Sequence, residues 1–190
     1  MSRRKMHVTI VARDDSTKAD GVAFHMEDSK GNRLPDDVPL VFSKDKHDPP
    51  MKKKDEHEIH FSLKQDPGLT LEFAHSETDA LWAEMGDEKT MPACPKSEPD
   101  KPCSIFYAER STPNKLIVVN KNPCQQNFSY TINFVDRTNA GSKKLIPYDP
   151  GGVNTNGGTD DISDFSVSSN VIVGGIAAAA LLAVAFVVLK

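Results

Sequence analysis

The densest group of side chains able to do chemistry is the run His57-Glu58-Ile59-His60. Two imidazoles and a carboxylate so close together are the raw material of a metal site or a proton-transfer pair. A zinc-hydrolase pattern, however, needs its histidines at i and i+4 of a helix. The spacing here is i and i+3, and the flanking residues alternate with the period of a strand, where those positions point to opposite faces. His57 and His60 therefore cannot hold one ion without a bulge, and no metal site is predicted. His60 shares a face with Glu58 and Ser62, which the alternation marks as the solvated one.

The thiols come next. Cys94, Cys103 and Cys124 are too few for a disulfide scaffold and odd in number. Cys94 and Cys103 bracket CPKSEPDKPC, a charged, proline-rich stretch that reads as a loop. A Cys94–Cys103 bridge would staple that loop in an oxidising compartment. Reduced thiols in a cytoplasm, or a Cys103–Cys124 bridge, satisfy the same count. Of the paired carboxylates, Asp36-Asp37 sit in a turn and Asp160-Asp161 in a polar linker, where nothing would raise the pKa of one partner. There is no G-x-S-x-G and no glycine-rich phosphate loop after a strand. Neither catalysis nor a cofactor is expected.

The elements that carry these residues read as strands. His7 to Ala12, Gly21 to Glu27, His57 to Lys64 and Leu69 to Ala74 each alternate apolar and polar residues. Short strands are expected over Val38 to Phe42, Ser104 to Ala108, Lys115 to Asn120 and Lys144 to Tyr148. The strongest is Phe128 to Asp136, with Phe128, Tyr130, Ile132 and Phe134 inward and Ser129, Thr131 and Asn133 on a wet face. Asp66-Pro67-Gly68 supplies a turn between two of them. Ser43 to Glu56 is an exposed loop whose lysines, Lys52 to Lys54, are offset by Asp45, Asp48, Asp55 and Glu56. One helix is expected, Thr78 to Met85, with Leu81, Trp82 and Met85 on one face. Thirteen prolines and eleven glycines, with roughly eight or nine strands and no long helix between them, predict a two-sheet antiparallel sandwich.

The far end of the chain changes character. Val171 to Leu189 carries no charge and no hydrogen-bonding side chain. As a helix it would be about 28 Å long, close to the roughly 30 Å of a hydrocarbon core. A membrane span is expected, with a buried helix or an oligomer stalk as the alternative. Gly175, Ala179 and Ala183 form a small-xxx-small row able to pack two such helices. Asp149 to Asn170, rich in Gly, Asn, Ser and Asp, reads as a tether. The expected organisation is thus a head over 1–148, a tether over 149–170 and a transmembrane helix over 171–189. The start, MSRRKMHVTIVARDD, has no apolar run long enough for a secretory signal. That favours a tail-anchored protein with a cytoplasmic head. The flanks vote the other way, because Asp160, Asp161 and Asp164 precede the span and Lys190 follows it.

The segment Asn127 to Asp136, then Leu145-Ile-Pro-Tyr-Asp149-Pro150 with Asn154 close behind, resembles the end of small bacterial cupredoxin-like β-sandwich domains of the DP-EP family type. Tyr130-Thr131-Ile132 matches the aromatic closing strand, and Asp149-Pro150 with Asn154 matches the final motif. Gly151 and Gly152 stand where that pattern has a β-branched residue. The resemblance implies a sandwich and carries no catalytic residue. A blue-copper site of two His, one Cys and an axial ligand is not expected: no His occurs after His75, and Cys124 is followed by Gln125, Gln126, Asn127 and Phe128.

A formal net charge of −4 argues against a nucleic-acid binder, which presents a basic face. The expected function is a membrane-anchored binding or structural protein whose head meets a protein partner or another copy of itself, with the lipid bilayer as its second partner. The alternative is a head with a metal-dependent or catalytic activity.

Overall fold

The computed structural model describes residues 3–36, 38–42, 56–87, 90–123, 125–139 and 144–154. The expected transmembrane helix with Gly175, Ala179 and Ala183, most of the tether, and Cys124 lie outside the described residues. Among the described residues no helix is long and apolar enough to cross a membrane.

The described residues are mostly β, in two sheets. The first runs in the order β2-β1-β4-β8-β7, formed by β1 (Arg4–Asp14), β2 (Val22–Glu27), β4 (His57–Gln65), β7 (Phe106–Thr112) and β8 (Lys115–Asn120). The second is built around β9 (Gln126–Asp136). One edge of β9 pairs with β10 (Ile146–Tyr148) and β11 (Gly151–Asn154), and β11 pairs in turn with β3 (Leu40–Phe42). The other edge of β9 pairs with β5 (Leu71–Phe73) and β6 (Leu81–Met85). The antiparallel expectation needs correcting, since β1–β4 and β3–β11 are parallel and both sheets are mixed. Parallel neighbours require a long return path, which the sequence separations of β1 from β4 and of β3 from β11 allow.

Rings from the two sheets meet in one core. Phe106 of the first sheet lies 4.6 Å from Phe128 and 5.0 Å from Tyr130 of the second, centroid to centroid. Phe24 stacks at 4.9 Å on Phe134. The Tyr130 hydroxyl, fully buried, reaches across to Met26 Sδ at 3.8 Å. Val8, Ile10, Ala12, Ile59, Phe61, Leu71 and Phe73 fill the core from the alternate positions expected of them.

Two segments depart from the sequence reading. The helix expected over Thr78 to Met85 is only α1 (Glu77–Ala80), capped by Ser76 Oγ accepting from Asp79 N at 3.0 Å. From Leu81 the backbone is extended, at φ −142° and ψ 123°. A helix this short has little stability of its own, whereas β9 offers a ladder of backbone partners, and the strand wins. Leu81 and Ala83 then face the core and Trp82 pairs with Thr131 on the other side. The second departure is Gly151–Asn154, read from composition as the start of the tether and in fact the strand β11. Gly152 has a packing reason to be glycine, because a Cβ there would lie 2.3 Å from Phe128 Cζ. The ring of the central strand occupies the space a side chain would need.

Candidate functional site

The outer row of β9, predicted to be wet, is buried. Asn127, Ser129, Thr131 and Asn133 are at most 1% exposed. They are covered by residues 90–105, the proline- and cysteine-rich segment, which lies as a strap without regular structure across the second sheet. Proline removes donors from such a segment and irregular backbone leaves carbonyls unpaired. The β9 side chains supply the missing partners. Ser129 Oγ donates to Ala93 O at 2.8 Å, Thr131 Oγ1 to Pro95 O at 2.7 Å, and Asn133 Nδ2 to Asp79 O of α1 at 2.8 Å. The root of the strap is equally constrained: a Cβ on Gly86 would meet Thr90 O at 2.2 Å and Pro92 Cδ at 2.7 Å.

Between the strap and β6 lies a cleft of about 640 Å³, lined by Ala83, Met85, Cys94, Lys96, Lys101 and Cys103 among others. Among the described residues β6 pairs with β9 alone, and its residues Ala83, Glu84 and Met85 line this cleft. The two cysteines singled out from sequence are thus brought to one place. Both are free thiols. Cys94 Sγ lies 3.7 Å from Pro150 O, and Cys103 Sγ accepts from Phe106 N at 3.4 Å. Burial, reinforced by the nearby Asp149 carboxylate, pushes the Cys94 thiol up to about 11. A thiol so protonated is no nucleophile near neutral pH.

Asp149-Pro150, the dipeptide of the resemblance, packs beside Cys94. The Asp149 residue is exposed as a whole, yet the chain around its carboxyl crowds it enough to raise its pKa, against the opposing pull of Thr131 and Lys96. Pro99, Glu98 and Pro102 of the strap also close a smaller pocket of about 60 Å³ against α1 and β7. The arrangement offers a concave, partly polar surface able to bind.

The histidines are a further departure from the sequence reading, which placed His60 on the solvated face of its strand. His57 is fully buried, its ring 4.9 Å from that of Phe42. His60 is 9% exposed and lies on the opposite face of β4, where its ring is 4.9 Å from His7 on β1. Glu58 accepts a hydrogen bond from His60 Nε2, and that bond, more than any other contact, holds the Glu58 carboxyl below the usual carboxylate range. His25 on β2 pairs with Glu27 at 3.2 Å. Sequence spacing missed the His7–His60 contact because it arises from strand register between distant segments. Among the described residues no set of three or more His, Cys, Asp or Glu converges as metal ligands.

No protein-family model matches this chain, and a search of curated proteins finds no match. The site is read from its own geometry.

Proposed function

We propose that this chain is a membrane-anchored binding protein. In this reading its head is a β-sandwich of the cupredoxin or immunoglobulin kind, and the cleft between β6 and the strap takes an extended segment of another protein. One observation carries the reading: a cleft of about 640 Å³ is lined by a strand that, among the described residues, pairs on one side only. An incoming segment can add to such an edge through main-chain hydrogen bonds while side pockets select its residues. Lys96 and Lys101 against Glu84 leave the lining net positive, which favours a segment carrying carboxylates. The uncharged run Val171 to Leu189 supplies the anchor, the Asp-rich tether holds the head above the lipid, and the row Gly175, Ala179 and Ala183 allows two anchors to pair.

Two experiments test this. A photo-crosslinker at Ser97 should capture a discrete partner that the same group at Lys64, on the first sheet, does not. The double charge reversal Lys96→Glu with Lys101→Glu should abolish that capture. Capture from both positions, none from Ser97, or capture insensitive to the reversal contradicts the reading, and a product at twice the chain's own mass identifies a second copy as occupant. For the anchor, the chain should stay with membranes in alkaline carbonate and be released by detergent. Ala180→Arg should weaken retention, because a charge at mid-span costs at least about 2.5 kcal/mol on insertion scales.

A further inference from the structure

The outer face of the first sheet carries a separate site. Parallel register between β1 and β4 sets Lys5 beside Glu58, His7 beside His60 and Thr9 beside Ser62. Neighbouring strands are about 4.8 Å apart, and the two imidazole rings are accordingly 4.9 Å apart, tilted by 48°. Two imidazoles bound to one zinc-class ion, each at about 2.0–2.1 Å, place their nitrogens roughly 3.3 Å from one another. Side-by-side strands hold rings at a separation from which that is reached by side-chain rotation alone.

We propose that His7 and His60 form a binding site for a borderline divalent transition ion of the zinc, nickel and copper class, with Glu58 orienting His60.

Three features favour this over a simple surface pair. An ionised carboxylate only accepts, so the Glu58 contact places a proton on His60 Nε2 and leaves Nδ1 as the lone-pair nitrogen of the neutral ring. That Nδ1 is buried and has no hydrogen-bond partner, a state that buried polar atoms rarely occupy and that a metal ion would relieve. A histidine ligand whose other ring nitrogen donates to a carboxylate is the usual supporting arrangement of a metal-bound imidazole. His7 is exposed and free to turn, so it can uncover His60 Nδ1 and close on the ion from outside. Water takes the remaining positions, and Thr9 Oγ1 and Ser62 Oγ, 3.3 Å from each other in the next row, lie beside them. Of the cations nearby, Lys5 Nζ lies 3.8 Å from Glu58 and its 63% exposed side chain can swing away, while Arg3 is held by Glu56 and Glu109. This is not the loop-borne thiolate and histidine set of an electron-transfer copper site, since both ligands stand on strands and, among the described residues, both cysteines line the cleft of the other sheet. The inference stands independently of the cleft.

The test is calorimetric titration of the purified full-length chain in detergent with Zn²⁺ and with Ni²⁺, its thiols alkylated beforehand. One equivalent should bind. His7→Ala and His60→Gln should each weaken binding at least tenfold, and Glu58→Gln about tenfold. Cu²⁺ loaded at the site should show two nitrogen ligands by electron paramagnetic resonance. Absence of one-to-one binding, or an affinity unmoved by His7→Ala, overturns the proposal. His7 is exposed, so its variant decides the matter even if a change at buried His60 disturbs folding.

Discussion

The two sheets present outer faces built from the same alphabet and put to opposite uses. On the first, Lys5, His7 and Thr9 of β1 stand beside Glu58, His60 and Ser62 of β4 and pair with one another. On the second, Ser129, Thr131 and Asn133 of β9 alternate with apolar residues in the same way, yet they are buried, the strap taking the hydrogen bonds of Ser129 and Thr131 and α1 that of Asn133. Period-two alternation therefore says that one face of a strand needs hydrogen-bond partners. Whether those partners are water or a carbonyl from another segment is decided elsewhere in the chain, here by a proline-rich segment with unpaired carbonyls.

The largest expected effect lies on the inner side of the strapped sheet. Tyr130→Asp places an unpaired charge where exposure is 0%, and should cost at least about 4 kcal/mol, a large fraction of a typical domain's stability. The fall of the midpoint in chemical denaturation checks it. A smaller, paired test separates the outer faces. Thr131→Ala removes the bond to Pro95 O and should cost about 1–2 kcal/mol. Thr9→Ala, whose hydroxyl meets only Ser62 at an exposed position, should stay within about 0.5 kcal/mol. Equal values would erase the contrast between the faces.

The thiols give a finer reading of the same contrast. Ionisation makes a cysteine reactive, and the Cys94 thiol, held up to about 11, is about one-thousandth thiolate at pH 8. Its alkylation should be slow at pH 8 and accelerate about tenfold per pH unit until the pH approaches that value. Peptide mapping after a timed pulse of iodoacetamide measures the rate. A Cys94 that reacts as fast as an unfolded control would mean that the strap does not seat it against β9.

Much of the fold was legible because it rests on local alternation. The inward rows of β1, β4 and β9 follow from the side-chain period alone, and the turn at Asp66-Pro67-Gly68 follows from backbone preference. What was not legible depends on partners distant in sequence. β6 looked helical because Leu81, Trp82 and Met85 fit a helical face, and only the open edge of β9 made it a strand. Gly151-Gly152 looked like linker, since no local signal announces that Phe128 needs the space over Gly152. The two cysteines of the candidate site were found as a pair, while the cleft they line, and the parallel register that sets His7 against His60, arise only on folding.

The strap's cover over β9 is most directly tested through the chain's single tryptophan. Trp82 pairs with Thr131 on the outer side of the second sheet and is 8% exposed. Its emission should be blue-shifted and resist quenching by iodide in the native protein. In Gly86→Ala, whose new Cβ would collide with Thr90 O at the root of the strap, iodide should gain access while the β signature in circular dichroism is kept. Red-shifted emission and ready quenching in the unaltered protein would contradict the account, because the outer face of the second sheet would then be as open to water as that of the first.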